Sequence, residues 1–101
     1  MIVTMATFNE TGTELEEGVR HVREEVVPSI HGAKGLRAGY WLIDHEHGKR
    51  LSIMVWNDTE AMSAAMPGIV TSIKQLRAQR GLQQPQRSPD SSQRFEVIAH
   101  L

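Results

Sequence analysis

Gly39-Tyr40-Trp41-Leu42-Ile43-Asp44 and Leu51-Ser52-Ile53-Met54-Val55-Trp56 are the two runs that decide the fold. Each is β-branched, aromatic and apolar over the length of a strand, which predicts strands over Leu36 to Asp44 and about Arg50 to Trp56. His45-Glu46-His47-Gly48 lies between them as a four-residue hairpin turn, with Gly48 supplying the positive φ. Pairing Asp44 with Lys49 sets Leu42 opposite Leu51, Tyr40 opposite Ile53 and Ala38 opposite Val55 on one face. The other face then pairs Ile43 with Arg50, Trp41 with Ser52, Gly39 with Met54 and Arg37 with Trp56. Apolar side chains dominate both faces.

Working outward, residues 2–8 read as a first strand. Thr13 and Glu16 have the spacing of a capping box, and Leu15, Val19, Val22, Val26 and Ile30 form one helical stripe. Pro28 interrupts its end, and Gly32 and Gly35 close it. Beyond Trp56, one of Asn57, Asp58 or Thr59 caps a second helical segment whose buried stripe is Met62, Met66, Ile69, Ile73 and Leu76. Pro67-Gly68 predicts a kink there, or two short helices. Residues 81–93 are polar and low in complexity, a long surface loop before a last strand from Arg94 to His100. The order βαββαβ makes residues 1–101 a single α+β, ferredoxin-like domain.

The composition excludes several classes of function. Eleven basic against twelve acidic side chains give a net charge of −1, which argues against nucleic acid as a partner. The chain has no cysteine, hence no disulfide, thiolate metal site or thiol nucleophile. No apolar run reaches the roughly 20 residues of a membrane span, so no membrane association is expected. The first residues lack the basic flank of a secretion signal, and a cytoplasmic location is the expectation.

One layer of helices covers one face of a four-stranded sheet. If that is the Tyr40 face, Trp41, Trp56 and Met54 are left wet; parity alone does not decide which face it is. In either case the uncovered face predicts a homodimer packed through the sheets. Gly39 predicts either a notch rimmed by Arg37, Trp41, Met54 and Trp56, or a space that a neighbouring large side chain fills.

The central hairpin, with Gly48 and the continuation Glu60-Ala61-Met62, resembles the antibiotic biosynthesis monooxygenase family. The resemblance implies ferredoxin-like subunits that pair through their sheets into a dimeric α/β barrel. It also implies a cofactor-independent monooxygenase acting with O₂ on a small aromatic, quinol or polyketide-type substrate, with no metal and no cofactor. An electron-rich phenolate can itself reduce O₂, so the protein need only bind the aromatic, favour its anion and exclude water. Other relatives degrade haem with an asparagine on the first strand and a tryptophan and histidine on the second helical segment. Those positions fall here near Met5 or Ala6, Ala65 and Gln75, so that set is missing.

The candidate substrate-binding residues are Arg37, Trp41, Met54 and Trp56, with Tyr40 as the alternative wall on the opposite face and His100 at the end of the last strand. No catalytic residue is assigned. His21 falls more than 120° from the helical stripe, which predicts a solvated residue paired with Glu17 or Glu25. His45 and His47 read as an exposed polar turn, and His31 as a charge at a helix C-terminus. The alternative function is a non-enzymatic small-ligand-binding or dimerisation module on the same fold.

Overall fold

The computed structural model describes residues 1–101. Four strands, β1 (Ile2–Asn9), β2 (Leu36–Asp44), β3 (Lys49–Trp56) and β4 (Ser91–Glu96), form one antiparallel sheet in the order β2-β3-β1-β4. α1 (Gly12–His21), a π-turn (Val22–Val26), the short α2 (Val27–Ile30) and the long α3 (Thr59–Gln79) lie on one side of it. The architecture is the expected α+β, ferredoxin-like one.

The hairpin register follows the expected one from Asp44↔Lys49 to Ala38↔Val55. It then breaks. Leu36, not Arg37, stands opposite Trp56, and Arg37 is the extra residue of a bulge. Its exposed side chain donates from Nη1 to Asn57 Oδ1 at 3.2 Å.

The helices cover the face that carries Trp41, Met54 and Trp56. Trp56 is fully buried with Ile30 and Ile69, and Trp41, Met54, Met62 and Met66 pack against that cluster. The tryptophans are therefore core, and the uncovered face is the one bearing Tyr40, Leu42 and Phe95, which are 58%, 46% and 46% exposed. Only four apolar residues of the whole chain are buried.

Several elements depart from expectation for local reasons. Thr11, rather than the predicted capping box, precedes α1, and no side chain caps that helix. Asp58 does cap α3, accepting from Ala61 N at 2.7 Å. α3 runs through Pro67 as one helix. Pro67 and Gly68 are both exposed, so water can reach the carbonyl that the missing N–H leaves free. β4 begins three residues earlier than expected and ends at Glu96, because Glu96 pairs with Ile2, where β1 itself begins. His100 consequently lies in a tail outside any strand, and Ile98 beside it is 97% exposed.

Candidate functional site

The strand register assembles a small grid on the covered face. Thr4 of β1 sits between Met54 of β3 and Arg94 of β4, and the next inward-facing row is Ser52, Ala6 and Ser92. Small side chains and hydroxyls in this grid leave the space between α3 and the strands unfilled. Met62 and Met66, one helical turn apart, form the opposite wall. The result is a cleft of 480 Å³ between α3 and the sheet. That volume suits an organic ligand of a few fused rings.

The cleft is mostly apolar, and its polar groups come from the strands. Thr4 Oγ1 is buried without a hydrogen-bond partner. A buried hydroxyl left in that state costs free energy that a ligand oxygen would recover. Arg94 is an exposed cation at the rim and takes part in no salt bridge of the chain. The thioethers of Met54, Met62 and Met66 give the cleft soft, polarisable contacts for an aromatic ring.

Of the residues predicted from sequence, only Met54 lines this cleft. Trp56 is buried under the helices. Trp41 folds over Gly39: a Cβ on that glycine would stand 2.7 Å from the indole ring, so the space is filled rather than left as a notch. Trp41 borders a separate 100 Å³ hollow with Val22 and Arg50. Arg37 is drawn away by the bulge, Tyr40 faces the uncovered side, and His100 is in the tail. A groove of 760 Å³ between residues 31–35 and the start of α3 is lined by small residues and by charges of both signs. It holds none of the predicted residues.

Two buried ionic clusters frame the helix layer. Glu25, on the π-turn, is fully buried and accepts from Arg77 Nη1 at 2.9 Å, with Arg80 and His21 also upon it. Burial pushes the Glu25 carboxyl up, but hydrogen bonds from His21, Arg77 and Arg80 outweigh it and hold the pKa below its ordinary value. Burial lowers the His21 pKa, overriding the hydrogen bond to Glu25 and that residue's charge. His21 is therefore not solvated, because the π-turn that follows it packs against α3 and brings Arg77 over the imidazole and Glu25. Its pairing with Glu25 is as expected.

At the other end of the sheet, Glu10 is buried against Arg50, whose Nε donates at 2.7 Å. Arg50 lies over the Phe8 ring at 4.0 Å. Gly18 leaves room for this pair, since a Cβ there would come within 2.5 Å of Arg50 Nε. His47 Nδ1 lies 2.8 Å from Asp44 in the exposed hairpin turn, and this hydrogen bond holds the Asp44 pKa below its usual value.

No family model matches the chain, and no curated protein matches it by sequence. Its shape is far more informative. Many solved structures that share it are of proteins assigned as antibiotic biosynthesis monooxygenases. A monooxygenase from the gene ActVA-Orf6 of Streptomyces coelicolor, in complex with nanaomycin D, superposes with a TM-score of 0.71 at 14% identity, covering 99% of this chain and 89% of that one. SnoaB, a cofactor-independent oxygenase from Streptomyces nogalater, gives 0.66 at 18% identity over 99% and 95%. The haem degrader MhuD from Mycobacterium tuberculosis, solved with two haems, gives 0.67 at 12% identity over 100% and 99%. None of the five histidines of this chain lines its cleft, so the cleft offers no imidazole to a haem iron. No helix is long and apolar enough to cross a membrane. Over its whole length the chain has the fold of the antibiotic biosynthesis monooxygenases.

Proposed function

We propose that this chain is a cofactor-independent monooxygenase that oxidises a small, electron-rich aromatic of the anthrone or quinol type with O₂ in the cleft between α3 and the sheet. The observation that supports this reading is the cleft itself: three thioethers, an unpartnered Thr4 hydroxyl and one free cation around a volume that fits a tricyclic ring system. Arg94 would favour the ionised phenol or enol, Thr4 would donate to a substrate oxygen, and the methionines would hold the ring and exclude water. For anthrone the overall change balances as a methylene oxidised to a carbonyl. One atom of O₂ enters the product and the other leaves as water.

The test is oxygen uptake with anthrone at neutral pH. The proposal expects one anthraquinone per O₂ consumed, at a rate above the buffer background that scales with protein concentration. Turnover equal to buffer at every protein concentration contradicts it.

One observation favours a second reading, a small-ligand-binding module without chemistry. Arg94 is the only titratable side chain in the cleft, so no general base stands there. Saturable binding of an anthraquinone without oxygen uptake would select it.

We propose, further, that the chain acts as a homodimer packed through the uncovered sheet face, in the cytoplasm. The chain exposes 6763 Å², where a folded monomer of this mass exposes about 5,700 Å². The excess is of the size one partner contributes to a standard interface, about 800 Å².

A further inference from the structure

The sequence of β4 does not specify its own register. Ser91, Ser92 and Gln93 have no core to enter, and all six residues of the strand are exposed. On its uncovered face Phe95 pairs with Val3. A slip of two residues would bring Val97 or Gln93 there instead, and Val97 is also apolar. Strands of this kind are prone to slippage. The functional cost of such a slip is large. Arg94 faces Thr4 in the cleft, and a two-residue slip would put Ser92 or Glu96 in its place. Glu96 would reverse the sign of charge at the rim.

Something must therefore fix the strand, and the residues just before it are tied down unusually well. Asp90 N donates to Thr7 O at 2.8 Å, and Asp90 Oδ2 accepts from Asn9 N at 2.6 Å. Arg87 Nη2 donates to Asn9 O at 2.7 Å and to Asp90 Oδ2 at 3.1 Å. Arg87 Nε reaches Glu10 Oε2 at 3.3 Å, so the polar loop is anchored on a fully buried carboxylate. The hydrogen bond to Asp90 raises the Arg87 pKa, and those from Asn9 and Arg87 lower that of Asp90.

We propose that Arg87 and Asp90 are positioning residues: a latch that sets the register of β4 on β1 and thereby holds Arg94 in the cleft. The claim about Arg94 rests on the cleft being the binding site; the claim about register does not. Arg87 suits the task because its planar fork holds Glu10 through Nε while Nη2 donates to the Asn9 carbonyl and the Asp90 carboxylate, a spread over two nitrogens that lysine's single ammonium does not offer.

The experiment measures amide hydrogen exchange by NMR on the full chain, with Arg87→Ala, Asp90→Ala and Arg87→Lys beside the native protein. The latch predicts that protection of the β4–β1 amides falls by about tenfold or more in both alanine variants, as expected for a locally opening unit. The β1–β3 amides should stay within about twofold of native, and Arg87→Lys should lie between. In the same variants the affinity for 1,8-dihydroxyanthraquinone should fall severalfold. Native-like protection of β4 in both alanine variants would overturn the proposal, as would β4 and β3 losing protection together. If β4 loosens as predicted but the native chain binds no anthraquinone, the cleft assignment fails while the effect on register stands.

Discussion

Arg77, near the end of α3, donates at 2.9 Å to Glu25, fifty-two residues earlier on the π-turn of the first helix. The carboxylate is fully buried and holds two arginines and a histidine around it. Removing one member of a buried ion pair leaves an uncompensated charge and typically costs about 3–5 kcal/mol. Arg77→Ala and Glu25→Gln should therefore each lower the denaturant midpoint sharply, whereas Arg20→Ala, whose pair with Glu24 is exposed, should cost at most about 1 kcal/mol. Urea titrations measure all three. Equal small losses would show that the buried cluster contributes nothing beyond a surface pair.

The same cluster sets an acid limit. The folded-state pKa of His21 lies below its ordinary 6.5 and that of Glu25 below its ordinary 4.5. A group with a depressed folded pKa contributes stability above its unfolded pKa and loses it as pH falls toward the folded value. Stability should therefore start to decline below about pH 6.5 through His21 and fall again below about pH 4.5 through Glu25. His21→Gln should flatten the first decline in a series of thermal midpoints. A native protein that gains stability between pH 7 and pH 5.5 contradicts this assignment.

Gly18 sits in a helix interior, where replacing glycine by alanine ordinarily stabilises by about 0.5–1 kcal/mol. Here the sign should reverse. The new methyl group would press on both members of the Glu10–Arg50 pair, coming 2.5 Å from Arg50 Nε. Overpacking of this kind costs about 1–3 kcal/mol. A lower midpoint for Gly18→Ala bears this out, and a higher one refutes it.

The uncovered sheet face yields a prediction about mass. Sedimentation equilibrium at micromolar concentration should give twice the 11.3 kDa of the chain. Leu42→Arg, which places a charge on the β2 edge of that face, should shift it to the monomer. A native chain that sediments as a monomer would refute the dimer.

The hairpin was legible because period-2 alternation and a glycine turn determine register together, and seven pairs from Asp44 to Ala38 follow. Arg37 was misplaced because a bulge inserts a residue that alternation cannot count. Which face the helices cover was not legible either, since both faces are apolar. Only the packing of Trp56 with Ile30 and Ile69 decides it. The cleft residues Thr4, Ser52, Ser92 and Arg94 come from three strands, and no local motif joins them. Their signal was cross-strand: hydroxyl and small residues at paired positions, visible once β1 is aligned with both neighbours. His21 and Glu25 were readable as a pair at i and i+4, but their burial depends on α3, far along the chain.

Ligand binding in the cleft under α3 can be read from the methionine methyl groups. The chain has five methionines; Met54, Met62 and Met66 stand on the cleft walls, while Met5, whose backbone also borders the cleft, alternates with Thr4 and so lies on the uncovered face. Titrating ¹³C-methyl-methionine protein with 1,8-dihydroxyanthraquinone should move those three resonances along one saturable curve and leave Met1, outside the cleft, in place. Saturable binding that shifts Met1 and leaves Met54, Met62 and Met66 unmoved would contradict the account.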